Sequence, residues 1–283
     1  HPNLLDQAVR YRDRLFAVLN ATTQRRVTGV LDRENAPKKS FDEQVEEAEK
    51  LTDVGRREQG LAFAVTGASK DQTIERVLSV IDKISDSNVR GPLTNWFYYT
   101  RSQALMAEKN FSEARRLASK VEELDMRAYL FTRIAEESLK EGEDQTESRQ
   151  MLNETSDAIS KAPKTINSAR ALLALAYLYT KLDVNRGVEE LGNAVRTINA
   201  LENPDFTLQY TMIKIEGKTF GFFTSYSTPG FNPEHVFREM GKDDFDGTLA
   251  QAAQFSDKSL RGLTTLSVIE PCFAVTSRKT KKI

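Results

Sequence analysis

Between Asn110 and Glu141 the apolar residues Phe111, Ala114, Leu117, Ala118, Val121 and Leu124 recur at three- and four-residue steps, so a helix would carry them down one stripe. The polar pair Glu122-Glu123 interrupts. Met126, Leu130, Phe131, Ile134, Ala135 and Leu139 then keep the same spacing. The stretch predicts two antiparallel amphipathic helices. Its punctuation agrees, because Asn110 with Glu113 reads as a capping box and Gly142 follows the last apolar residue as a C′ stop.

The same frame returns along the chain. Displaced by 37 residues, Ile74, Val77, Val80, Ile81 and Ile84 fall on Phe111, Ala114, Leu117, Ala118 and Val121, while Asp86, Arg90 and Phe97 fall on Glu123, Arg127 and Ile134. A weaker copy starts at Phe41, with Ala48, Leu51, Asp53, Arg57 and Ala64 in frame but Gln44 and Glu47 at two stripe positions. Leu152, Ile159, Arg170, Leu173 and Tyr177 form a later copy. Val188, Leu191, Ala194, Val195 and Ile198 form a half unit whose second helix is missing, and Phe245, Ala252, Phe255, Asp257, Arg261 and Val268 form a last one. A single two-helix unit cannot bury its apolar face alone, so such units stack.

Asn203 to Gly241 departs from the frame, being rich in β-branched and aromatic residues. Thr207–Ile215 and Thr219–Tyr226, around Glu216-Gly217-Lys218, predict two strands and a tight turn. Pro233 at N1 then starts a short helix through Met240. An isolated hairpin is marginal in water, so this one is expected to lie across the solenoid or to pair with another chain. The expected fold class is mainly α: an α-solenoid of stacked antiparallel helical hairpins with a short β-hairpin-like insertion near 205–228. Its parts are an N-terminal helical region and linker (1–40), repeats (41–202), the insertion with its short helix (203–243), a final hairpin (244–270) and a basic tail (271–283).

These units resemble the tetratricopeptide-like helical-repeat superfamily, or HEAT-like solenoids, over about residues 41–200 and 244–269. Ala114, Ala118 and the aromatic positions 97–99 fit that pattern loosely, whereas Trp96 stands in a second helix and the closing Pro is absent. Divergent repeats, the insertion Thr219-Phe220-Gly221-Phe222-Phe223, and a last hairpin with Asp244-Phe245-Asp246-Gly247 and Ser256-Asp257-Lys258-Ser259-Leu260-Arg261 also look like secreted bacterial helical-repeat proteins. That resemblance implies a secreted protein, extracellular or periplasmic; the start at His1, with no initiator Met and no signal-peptide pattern, is read as a leader removed before His1 or a trimmed start. The resemblance brings no activity with it.

Composition adds that 39% hydrophobic and 29% charged residues suit a soluble chain with a thin core. No apolar run approaches the roughly 18 residues that span a bilayer, so no membrane span is expected. The net charge of −1 is unevenly spread. Residues 1–40 hold eight Lys or Arg against four acidic residues, and Arg278, Lys279, Lys281 and Lys282 follow at the other end. Basic ends on an acidic body either draw copies of the chain together or hold anions.

Reactive constellations are scarce. His1 and His235 have no paired spacing, and a single cysteine excludes a zinc set. Cys272, between Pro271 and Phe273, reads as a buried inert thiol, and no glycine motif cradles a phosphate. Asp243 to Gly247 lacks the twelfth-position Glu of a calcium loop and reads as a helix N-cap. Arg57, Arg90, Arg127, Arg170 and Arg261 recur after each turn, either as a guanidinium ladder or, preferably, each paired with the acid before it.

No catalytic residue, cofactor or metal is therefore expected. The function expected is a non-catalytic helical-repeat scaffold acting through protein–protein association, with copies of itself as the first partner and an oligomer or extracellular filament as one outcome. The alternative is nucleic-acid or polyanion binding through Arg10, Arg12, Arg14, Lys279, Lys281 and Lys282. Candidate protein contacts are Trp96 and Tyr99, in an aromatic run too wide for one stripe, and Phe220, Phe222 and Phe223, which alternate between the two sides of a strand.

Overall fold

The computed structural model describes residues 39–68, 72–142, 145–207, 210–218, 220–227 and 231–279, and every structural statement below concerns these residues. The chain divides into two compact units, residues 1–44 and 45–283. Within the first, Ser40 and Glu43 close a reciprocal capping box: the Ser40 N–H donates to Glu43 Oε2 at 2.7 Å and the Glu43 N–H to Ser40 Oγ at 3.2 Å. The helix expected before Asp32 lies outside the described residues.

In chain order the elements are α1 (Phe41–Glu49), α2 (Val54–Thr66), α3 (Ile74–Ile81), α4 (Ser87–Ala107), α5 (Phe111–Ala118) and α6 (Leu124–Glu141). Then come α7 (Gln145–Ser160), α8 (Ile166–Thr180), α9 (Val184–Asn199), β1 (Tyr210–Glu216), β2 (Gly221–Ser227), α10 (Pro233–Asp243), α11 (Phe245–Ala252) and α12 (Lys258–Lys279). The fold is mainly α with one small antiparallel sheet. The stripes read from spacing are the core. Val77, Val80, Ile81 and Ile84 are buried, as are Phe111, Ala114, Leu117, Ala118 and Val121, and Leu130, Ile134 and Ala135 in α6. Asn110 accepts from the Glu113 N–H at 3.3 Å, and Gly142 ends α6 at φ 78°, the left-handed cap that glycine adopts without penalty.

Second helices touch second helices along the second unit: α2 meets α4, α4 meets α6, α6 meets α8, α8 meets α10 and α10 meets α12. After the insertion, α10 takes a second-helix place between α8 and α12, while the half unit's helix α9 meets α8 and, as first helix to first helix, α11. The basic tail is also shorter than expected, since α12 continues to Lys279 with Pro271 inside it.

Side chains of one helical pair hold the turn of the next. Glu58, buried in α2, accepts from the Ser85 N–H at 2.8 Å and the Asp86 N–H at 3.2 Å. Asn95, buried in α4, accepts from the Glu122 N–H at 2.8 Å. First helices supply later clasps. Arg149 of α7 donates to the Leu182 carbonyl at 3.0 Å, and Asn199 of α9 accepts from the Ser256 N–H at 2.9 Å while donating to the Gln254 carbonyl at 2.8 Å. The Glu58 and Asn95 clasps satisfy part-buried backbone groups, and a backbone group orphaned out of water costs about 1–3 kcal/mol; the later clasps are exposed. Asn95→Leu, which leaves the Glu122 amide without its acceptor, is expected to destabilise by that amount in urea unfolding. An unchanged midpoint would show that the clasp contributes nothing.

Asp53, Asp86 and Asp257 do not pair with the following Arg but accept the backbone N–H of Arg56, Asn88 and Leu260, capping the helix they precede, whereas Glu123 makes no such cap. Arg127 turns back to donate to the Val121 carbonyl at 2.6 Å, and Arg170 is buried with its guanidinium 5.9 Å from the Phe206 ring centroid. A carboxylate one turn from a row of free helix N–H groups finds them nearer than a guanidinium that points away.

Candidate interaction surface

The β-hairpin alternates cleanly. Ile213 faces Thr224 and Ile215 faces Phe222 across the ladder, and these four form the inner side, with Ile215 fully buried. Met212, Lys214, Glu216, Gly221, Phe223 and Ser225 form the outer side, and all six are exposed. Inner residues pin the hairpin to the helices: β1 packs against α4, and Phe222 lies 5.5 Å, ring to ring, from Phe63 of α2. At the turn, a Cβ on Gly217 would stand 2.9 Å from both Val89 Cγ2 and Phe220 Cε1, so only glycine lets the turn come this close. The hairpin therefore lies across the helices, one of its two expected placements.

Its outer side keeps Phe223 at 63% and Met212 at 54% exposure, with Lys214 and Glu216 ion-paired at 2.5 Å between them. The sheet has only two strands, so each also has an edge with unpaired N–H and C=O groups. Beside β1 runs a cavity of about 260 Å³, lined by Pro92, Asn95, Met126, Asn167, Met212 and Lys214 among others.

The aromatic candidates separate. Tyr99 is buried, its ring 6.0 Å from Tyr129 of the next pair and its hydroxyl accepting from Gln103 Nε2 at 2.8 Å, so it joins helices and presents nothing outward. Burial pushes the Tyr129 phenol above its ordinary pKa. Trp96 and Phe220 are half-buried, Phe222 is on the inner side, and Phe223 alone of the five is exposed. Of the basic candidates, Lys279 is the last residue of α12, and Arg10, Arg12, Arg14, Lys281 and Lys282 lie outside the described residues.

The thiol expectation is overturned: Cys272 is exposed, next to Phe273 at 70% exposure. His235 rests 5.9 Å from the Tyr177 ring, and Asp244 caps α11 by accepting the Gly247 N–H at 3.0 Å. Among the described residues no group of three or more His, Cys, Asp or Glu side chains is placed to hold a metal ion. No helix among them is long and apolar enough to cross a membrane.

No protein-family model matches the chain, and the searches of curated proteins and of solved structures also find no match. What the molecule does is therefore argued from its surfaces alone.

Proposed function

We propose that the protein is a non-catalytic helical-repeat scaffold, of tetratricopeptide-like or HEAT-like kind, that acts by associating with other protein chains, copies of itself included. The observation that carries this reading is the outer side of the hairpin. Two large apolar side chains, Met212 and Phe223, are held in water by an element whose other side is packed against α2 and α4. A surface fixed in place loses little freedom when a partner covers it, and apolar groups held ready beside an open strand edge suit docking of protein.

The test is solution mass by light scattering across a range of concentrations. The native chain is expected to exceed the mass of one chain as concentration rises, and Phe223→Ser to lower the average mass at each concentration. The substitution should leave folding stability within about 0.5 kcal/mol, because the side chain is exposed. A mass of one chain at every concentration would remove self-association from the reading.

A further inference from the structure

At the hairpin turn the Gly217 N–H donates to the Phe220 carbonyl at 2.9 Å, which makes these two a hydrogen-bonded pair. Such pairs alternate along an antiparallel ladder, so Ile215 and Ile213 bond to Phe222 and Thr224, while Met212, Lys214 and Glu216 turn their N–H and C=O groups away from β2. Among the described residues those outward groups have no hydrogen-bond partner. The strands follow the helices beneath them, β2 reaching α2 through Phe222 and Phe63 and β1 packing on α4. A third strand beside β1 would therefore run over α6. There the cavity of about 260 Å³ opens, from Met212 and Lys214 on the strand to Met126 of α6 and Asn167 of α8. Its lining is acidic at the start of α6. The exposed Glu123 carboxylate has no hydrogen-bond or ion-pair partner among the described residues. Asp125 accepts from Asn167 Nδ2 at 3.2 Å and shares a small second cavity with the buried Arg170, and Lys214 is held by Glu216 at 2.5 Å.

We propose that the free edge of β1 takes up an extended segment of a partner protein as a third strand, laid over the starts of α6 and α8, with a Lys or Arg side chain set against Glu123 and Asp125. The inference rests on the reading above that the protein acts by associating with other chains, and it names the kind of segment docked. Pairing with the backbone of β1 supplies affinity, and the cleft selects the side chains. An acidic segment would set carboxylate on carboxylate, whereas a basic one meets the open charge of Glu123. A second copy of the hairpin is excluded by its own support. Its strands are backed by α2 and α4, which would have to enter the space that α6 and α8 fill. A single extended segment brings no such backing.

The probe is a labelled peptide, Thr-Val-Lys-Val-Lys-Val-Thr, whose lysines share one side of a strand and whose valines share the other. Its binding to the full chain is read by fluorescence anisotropy. Replacing both lysines by Glu should weaken binding by about tenfold or more, and so should methylating alternate backbone amides, which removes the donors that the β1 carbonyls need. Both controls leave the protein unaltered, so neither depends on a variant that folds. In the chain, Glu123→Gln combined with Asp125→Asn should erase the preference for the Lys peptide over the Glu peptide. Hydrogen exchange should show the amides of Met212, Lys214 and Glu216 gaining protection when the Lys peptide is added. Equal binding of the Lys and Glu peptides, or binding indifferent to methylation, overturns the proposal. Protection of those three amides without peptide, in step with a rising solution mass, would assign the edge to a second copy and overturn it while leaving self-association standing. No peptide binding, beside a native chain whose mass exceeds one chain, overturns the inference alone; a native chain that stays single and binds no peptide removes the reading with it.

Discussion

Leu130→Ala is expected to cost about 2–5 kcal/mol, because a fully buried side chain at the centre of the stack is removed and its surroundings relax only in part. Leu130 lies in α6, which touches α4, α5, α7 and α8, so the resulting cavity is shared by three helical pairs. A domain's whole stability is on the order of 5–15 kcal/mol, and for a chain of this size such a loss lowers the melting temperature by roughly ten degrees. The pattern of the loss is as informative as its size. Each pair contacts only its neighbours, so stability is a sum of local terms and the damage should stay near its source. Hydrogen exchange should show amides of α5, α6 and α7 losing protection while those of α11 and α12 keep theirs. Uniform loss throughout would show instead that the second unit opens as one body. Such a unit would pass strain at one end to the other.

The sequence carried the helices because each exposes one side and buries the other, which writes a 3.6-residue period into the chain. Where that period met a local start signal the helix starts were read closely: Asn110 accepts the N–H three positions on, Pro233 stands at N1 behind the capping Asn232, and the stretch read as an N-cap holds the capping Asp244. Overlaying the chain on itself could not recover α10 as the next second helix of the series after α8. The overlay needs a continuous frame, and residues 200–232 interrupt it. Nor does a matching position guarantee a matching environment. Phe245 aligns with the buried Phe111 yet is 39% exposed.

The surface was legible only by halves. Alternation along β2 required that Phe222 and Phe223 face opposite sides, but which side turned inward depends on Phe63, more than 150 residues earlier in the chain. Cys272 shows the same limit from the other direction. Its apolar neighbours predict burial, yet it stands exposed on α12. Which side of a helix is covered depends on elements distant in the chain, which local composition does not encode. The clasps were missed because Glu58, Asn95, Arg149 and Asn199 differ in chemistry and share no single place in the frame. Only the contact with the following turn unites them.

Gly187→Ala should likewise lower stability, by about 1–3 kcal/mol, even though alanine is the better helix former by nearly 1 kcal/mol. Two effects compete at this site, and distances decide between them. A Cβ on Gly187 would stand 2.5 Å from Thr180 Cγ2, 2.9 Å from the Thr180 amide nitrogen and 3.0 Å from the Ala176 carbonyl oxygen. Two of these are backbone atoms of the α8 end and cannot swing aside, so α9 must back away from α8. Along that seam Leu191, Ala194, Val195 and Ile198 are all buried, and a shift loosens them together. Gly262→Ala is the matched comparison. It is also within a helix, but with nothing within 4 Å, so only the propensity term remains and a gain of about 0.5–1 kcal/mol is expected. Thermal unfolding of both variants, read at concentrations too low for association, should therefore move in opposite directions. Two shifts of the same sign would mean that the α8–α9 seam has room to spare, and that close approach of first to second helices is not what holds these pairs together.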